Sequence, residues 1–277
     1  MAATTSTTLD DLFANIIMQA RFTAEEQSLM AGLITRYDIG NVAGKTIQVP
    51  KYPAVAAADL TEGTDMSSST VSTSSVTVTV GEVGAQVVLT DLAAMGAGNP
   101  AQELGTVLGN SIATKMDQDI IALFDGFSAS LGAAGQEITV ADLFKAAATL
   151  RANKVTGPIS AVIHPFHAYQ LSANLTNTFA NPNGGDLQNE AMRNGFVGSI
   201  AGIDVYQSAN ITPDGSDDAK GCVFGREAMA IAMKRDFNLE TERNASLRAF
   251  ELNATAVYGV AELDDSYGVE MLFDAAL

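Results

Sequence analysis

The chain has 277 residues, 47% of them apolar, with a formal net charge of −17 and a single cysteine. That composition excludes a disordered chain, and the length suffices for one large domain or two modest ones with a sizeable core. The acidic balance and the lack of any Lys/Arg run exclude a protein that grips nucleic acid by neutralising phosphates. An acidic wall that merely encloses DNA is compatible with them, because like charges keep the polymer from sticking. Cys222 alone excludes an intrachain disulfide and a cysteine-based metal site, and in Cys222-Val223-Phe224 it reads as a small buried hydrophobe. Charged residues make up only 17%, below the usual quarter or so. Much of the surface is therefore either covered by other subunits or neutral and hydroxyl-rich. No run of about 18 uncharged apolar residues exists, so no membrane span is expected. MAATTSTTLDD lacks the basic and apolar regions of a secretory signal.

Residues 9–21 read as an amphipathic helix with acids in its first turn and Thr8 as a cap, and 24–37 as a second helical piece. In KTIQVP, Ile47 and Val49 alternate with polar residues, so 45–50 reads as a strand ended by Pro50. Residues 50–75 hold few large apolar groups, and 10 of them are Ser or Thr. From Val76 the alternation resumes through Val78, Val80, Val83, Ala85, Val87 and Leu89. Two strands thus flank a long excursion with little to pack. A two-stranded ribbon is marginal in water, and a dozen extended residues reach roughly 40 Å. Such an arm needs another chain to order it; the alternative is a mobile surface loop.

Residues 99–126 give the clearest helix. Asn99 suits an N-cap, Pro100 the first turn, Gln102 a capping box and Gly126 the residue after the end. Leu104, Leu108, Ile112, Met116, Ile120 and Phe124 form an i+4 stripe with Val107 and Leu123 beside it, on a rod of roughly 39 Å. Gly105 and Gly109 cost helix stability and suit a close approach of another backbone. Thr139-Val140-Ala141-Asp142 opens a helix through about Asn153. Strands follow at 159–163, 202–206 and 220–224, a helix at 166–173, and an Asn/Gly-rich loop at 179–195. Residues 229–233 read as a strand or a short helix. Residues 237–243 and 250–260 read as paired strands joined by Asn244-Ala245-Ser246. The whole suggests an α+β protein.

Motifs with chemical meaning fail on spacing or context. Gly40 to Thr46 has one residue too few for a phosphate loop and leads into a strand. Gly96 to Ala101 partly matches a dinucleotide fingerprint, but Asp117 and Asp119 lie within the same helix and cannot meet a ribose. His164 and His167, the only histidines, flank Pro165 at a strand-to-helix corner. Asp214, Asp217 and Asp218 lack calcium-loop spacing, and no Gly-x-Ser-x-Gly elbow occurs. Glu240/Glu242 and Asp264/Asp265 could serve acid–base chemistry only inside a pocket. Glu240 and Glu242 share a strand face near Arg235, Arg243 and Arg248, which suits an Arg–Glu network across subunits or a surface ladder. No catalytic, cofactor or metal residue is assigned.

The order of these elements, with GKTIQVPKYP, AQELGTVLGNSIATKMDQDIIALF, GIDVYQSANI and VFGREAMAIAMKRDFNLETERNASLRAFELNATAVYGVAELDDSYGVE, resembles tailed-bacteriophage major capsid proteins with the Hong Kong 97-like fold, which encapsulin shells share. The resemblance covers nearly the whole chain. It implies an N-terminal arm (1–45), an extension loop (46–90, a β-hairpin), a peripheral domain with a long spine helix (91–137 and 236–265) and an axial domain (138–235 and 266–277). It implies hexamers and pentamers of this chain tiling an icosahedral shell around double-stranded DNA, with subunit contacts at Val76, Val78, Val80, Glu240, Glu242, Arg243, Arg248 and Glu251. It places the chain in the virion capsid after assembly in the host cytoplasm, as a structural protein rather than an enzyme. A separate scaffolding protein, a portal and a decoration protein are the implied partners. There is little room here for the N-terminal scaffolding segment that some relatives carry. Some relatives also cross-link through a loop lysine; here no lysine stands between Lys51 and Lys115, so no such cross-link is expected. The alternatives are an encapsulin-like cargo compartment and, in another class, a nucleotide-dependent enzyme, which would be a monomer or small oligomer stabilised by ligand.

Overall fold

The computed structural model describes residues 29–40, 43–53, 55–57, 59–63, 65–66, 68, 70–96, 101–178, 199–200 and 202–276. The elements run α1 (Met30–Leu33), β1 (Thr35–Asp38), β2 (Thr46–Lys51), β3 (Ser74–Thr79), β4 (Gly81–Thr90), α2 (Asp91–Gly96) and α3 (Ala101–Ile121). A 3-10 turn (Ala122–Gly126) leads to β5 (Ser130–Gly132), α4 (Val140–Ala152), β6 (Ile159–Ile163) and α5 (Pro165–Thr178). Then come β7 (Ser199–Ile200), β8 (Ile203–Gln207), β9 (Asp218–Gly225), β10 (Met229–Asn244), β11 (Ala249–Glu262) and β12 (Gly268–Asp274). The expected helix at 9–21, Asn99, Pro100 and the loop at 179–195 lie outside the described residues.

One sheet has the order β1-β10-β11-β4 and carries the long helix α3 on one face. Leu108, Ile112, Ile120 and Phe124 are buried there with Leu239, Leu252, Ala254, Ala256 and Tyr258. Each such Leu, Ile or Phe contributes roughly 1.5–3 kcal/mol by leaving water, so this stripe fixes helix to sheet. Gly105 and Gly109 are buried, whereas Val107, expected beside the stripe, is exposed. The helix tightens into the 3-10 turn instead of ending on a left-handed Gly126, which has no positive φ.

The second sheet has the order β5-β12-β9-β6-β8-β7. Strand β6 is buried along its whole length. Ile159, Ala161 and Ile163 enter a core with Leu143, Ala147 and Leu150 of α4, while Val162 faces the core shared with Phe124 and Phe224. Burial on both faces explains why all its residues but Ser160 are apolar. Helix α4 starts as its sequence predicts: the Asp142 carboxylate accepts from the Thr139 N–H at 3.1 Å and from its hydroxyl at 2.6 Å. Cys222 is a free, buried thiol among apolar neighbours, and burial pushes its pKa up.

Three readings of local structure change. Of the expected helix at 24–37, the described part is helical only over Met30–Leu33, and Thr35–Asp38 is a strand parallel to Ala230–Met233. A β-branched and aromatic run beside an open sheet edge pairs with it, which local periodicity does not reveal. Strand β2 continues past Pro50 to Lys51; it belongs to a two-stranded sheet, where an edge tolerates the missing N–H. The stretches read separately at 229–233 and 237–243 form one strand, β10, from Met229 to Asn244, with register shifts between Met233, Arg235 and Asn238.

Candidate assembly surfaces

The β2–β3 hairpin joins Thr46 to Thr79 and Lys51 to Ser74 in antiparallel register. Its root is anchored to the body. Val78 and Val80 pack with Ile39 and Ala232, with Tyr37, Ile47, Val49, Val257 and Ala261 around them. The Val80 N–H donates to the Lys45 carbonyl at 2.9 Å. At Gly259 the chains cross so closely that a Cβ would stand 2.2 Å from the Thr79 carbonyl oxygen, so only glycine fits there. Lys51 Nζ lies 2.8 Å from Asp264 Oδ1. Partial burial works against the Asp264 charge, but Lys51 and Ser266 together hold its carboxyl below the usual carboxylate range.

Beyond Lys51 the character reverses. The described residues of 52–73 have no strand or helix and are exposed. Tyr52 is 69% exposed and Met66 72%, and Val55, Leu60 and Val71 also face solvent. The division falls inside the expected contact set: Val78 and Val80 are buried in their own chain, Val76 is half-buried. Within the chain, the side chains of Val78 and Val80 hold the root in place. Strand alternation says which residues share a face but not whose core they fill.

The second surface is the far end of the first sheet, where β10 turns into β11. Glu242 pairs with Glu251 and Glu240 with Asn253 across the strands, so the three acids share one face. Glu251 accepts from Gln86 at 3.2 Å and Asn244 at 2.9 Å, and Glu240 accepts from Asn238 at 3.1 Å. Arg243, one residue on from Glu242, faces the other way. Its guanidinium grips Asp91 in a two-pronged pair at 2.6 and 2.7 Å and sits 4.5 Å from the Phe250 ring centre. That pair holds the Asp91 carboxyl below its ordinary range. An Arg243–Glu240/Glu242 network within the chain is therefore not formed, because strand alternation separates the partners. Arg248 lies at the hairpin tip with φ 52°, and its carbonyl accepts from the Asp91 N–H at 2.9 Å.

Asp117, set aside above as a ribose ligand, is a structural residue whose role the sequence does not show. This buried carboxylate of α3 accepts from the Leu29 and Met30 N–H groups at 3.3 and 3.2 Å, capping α1, and from Asn210 at 3.5 Å. Its partners lie far away in sequence, so no local signal announces it. Asp119 accepts from the Tyr258 hydroxyl at 2.8 Å, and burial together with that carboxylate pushes the phenol pKa up. His164 and His167 form no ligand pair. His167 is fully buried with Nε2 3.1 Å from the Phe273 carbonyl, and His164 Nδ1 accepts from the Phe166 N–H. Burial lowers the pKa of both. Among the described residues, no three His, Cys, Asp or Glu side chains converge as a metal site, and no helix is long and apolar enough to cross a membrane.

A spine helix on a four-stranded sheet, a six-stranded α/β layer and a projecting hairpin together define a viral shell-protein fold, and solved structures bear this out. The chain is similar to a structure titled Mycobacterium phage Che8, with 18% identity, 90% of this chain and 91% of that one covered, and a TM-score of 0.71. It is similar to the capsid of the cyanophage P-SCSP1u (18% identity, 88% and 87% covered, TM-score 0.69). It also matches a virus-like particle from Pyrococcus furiosus (10% identity, 94% and 98% covered, TM-score 0.64). No curated protein sequence matches. Residues 70–270 match the model of the phage capsid protein family, and the chain belongs to that family. It is a structural capsid protein of a bacteriophage, with the Hong Kong 97-like fold that its sequence resembles.

Proposed function

We propose that this chain is the subunit that assembles as hexamers and pentamers into an icosahedral shell around double-stranded DNA. The observation that carries the reading is the excursion at 52–73: an anchored root presents apolar side chains that no described residue of the chain covers. The extension loop spans 46–90, with its outer part lying across an adjacent subunit. Residues 91–137 and 236–265 form the peripheral domain, and 138–235 and 266–277 the axial domain around the fivefold and quasi-sixfold axes. Glu240, Glu242, Glu251 and Arg248 face neighbours near threefold contacts, with Val76 at the loop margin. Repeated heterologous contacts of this kind close into shells. The net charge of −17 suits a wall that encloses DNA without sequence-specific binding. A separate scaffolding protein and a portal complete the particle, assembled in the host cytoplasm.

Electron microscopy of the purified protein tests this. Closed round particles tens of nanometres across are expected; a protein that stays monomeric at high concentration contradicts it. Boiled shells run on a denaturing gel should give a single monomer band, since no lysine lies in the outer loop.

A further inference from the structure

We propose that the arginine-lined cleft where the two sheets meet takes the acidic turn 212–217 of a second copy of this chain, joining copies head to tail. The inference rests on the shell reading above and names a contact in which the hairpin has no part.

The acceptor is an open cleft of about 320 Å3 between β1 of the first sheet and the Gly225 end of β9 in the second. Thr35, Arg36, Thr156, Arg226, Glu227 and Tyr267 line it. Its floor is fixed by the backbone: the Thr35 hydroxyl donates to the Arg226 carbonyl at 3.0 Å, and the Ala228 N–H to the Gly225 carbonyl at 2.9 Å. The Arg226 side chain is exposed and has no hydrogen-bond or ion-pair partner among the described residues. Arg36 holds Asp236 through one nitrogen at 3.0 Å, with both side chains half exposed. The described lining thus carries two guanidinium groups against one carboxylate, Glu227. A guanidinium's planar fork suits a carboxylate. A phosphate backbone suits the cleft less, since Glu227 and Asp236 stand beside the arginines.

The donor lies at the other end of the same strand. β9 pairs Gly225 with Ile159 of β6 and Asp218 with Asp274 of β12, and its 8 residues put the turn roughly 26 Å from the cleft. The turn is preorganised. The Asp214 carboxylate accepts from the Ser216 and Asp218 N–H groups at 2.8 and 3.0 Å, and the Asp217 carbonyl accepts from the Ala275 N–H at 2.6 Å. Asp217 is exposed at φ 64°, and its carboxylate has no partner among the described residues. Gly215 and Ser216 beside it are small and exposed, so the tip is slim enough to enter a cleft. Surfaces at opposite ends of one strand cannot meet within a subunit. They meet only between copies, and a contact between two different surfaces is heterologous, the kind that closes rings. Copies of net charge −17 repel one another. Placing an unpaired guanidinium against the next copy's unpaired carboxylate offsets that repulsion where they touch.

A charge swap tests this. Arg226→Glu and Asp217→Lys, each alone, should lower the yield of particles in light scattering severalfold, while the free subunits keep their urea midpoint. The two together should restore the yield, because opposite charges face each other again. Lys154 and Arg248 already hold left-handed backbone in this chain, so a lysine is accommodated at 217. Single losses without rescue, or no loss at all, would overturn the inference and leave the shell reading standing. Absence of particles from the unsubstituted chain would overturn that reading and this inference together. Should Asp217→Lys fail to fold, Asp217→Asn and Arg226→Gln decide. A combined loss no greater than the larger single loss supports the contact, and additive losses refute it.

Discussion

The root and the outer part of one hairpin obey opposite rules. At the root, every feature is answered within the chain: Val78 and Val80 are buried, Gly259 admits the crossing strand, and Lys51 meets Asp264. A few residues outward, Tyr52, Leu60 and Met66 stand in solvent. The difference teaches that the chain fixes the direction of its arm at the root, and the proposed shell leaves the arm's landing to a partner. Substitutions in the body should therefore unfold the free subunit, and substitutions in the excursion should spare the subunit and harm assembly.

The largest expected effect is at the crossing. Gly259→Val drives a side chain into the Thr79 carbonyl and should cost about 3 kcal/mol or more in urea unfolding of the free subunit. Asp117→Ala strips the acceptor from two N–H groups of α1 and should cost roughly 1–3 kcal/mol. Val78→Ala should cost about 2 kcal/mol. Met66→Ala, in contrast, should stay within about 0.5 kcal/mol in the free subunit while lowering shell yield in light scattering. Equal costs at Val78 and Met66 would dissolve the distinction between root and outer arm.

Acid sharpens the contrast. His167 is kept neutral by burial, against the pull of the Phe273 carbonyl that Nε2 meets, and buried Nδ1 has no hydrogen-bond partner among the described residues. With the folded pKa below the unfolded value of about 6.5, the unfolded chain takes up more protons as pH falls. Stability is thus fully present above about pH 6.5 and declines as pH drops through the window below it. His164 lowers the His167 pKa further and Asp274 opposes the shift. His167→Gln should flatten the fall in melting temperature between about pH 7 and 5. The excursion contains no histidine, so its contacts should not follow this profile.

What the sequence made legible follows from locality. The stripe from Leu108 to Phe124, the Thr139–Asp142 cap and the strands around Asn244 are set by residues within a few positions of one another, and their periodicity shows them directly. Strand β1 was hidden because its partner lies nearly two hundred residues away. Asp117 was hidden likewise, since a carboxylate that caps a remote turn looks like any helical acid. Among the contact residues, the shared face of Glu240 and Glu242 was readable from alternation. That same alternation, applied to Arg243, would have placed it on the opposite face, where it meets Phe250 and Asp91.

The central claim is that residues 52–73 are ordered only by another copy. Amide exchange over that segment, compared between dilute subunits and assembled shells, tests it most directly. The account predicts fast exchange at 52–73 beside slow exchange at 76–79 in the free subunit, and slow exchange at both in the shell. Slow exchange at 52–73 in the dilute subunit would contradict it.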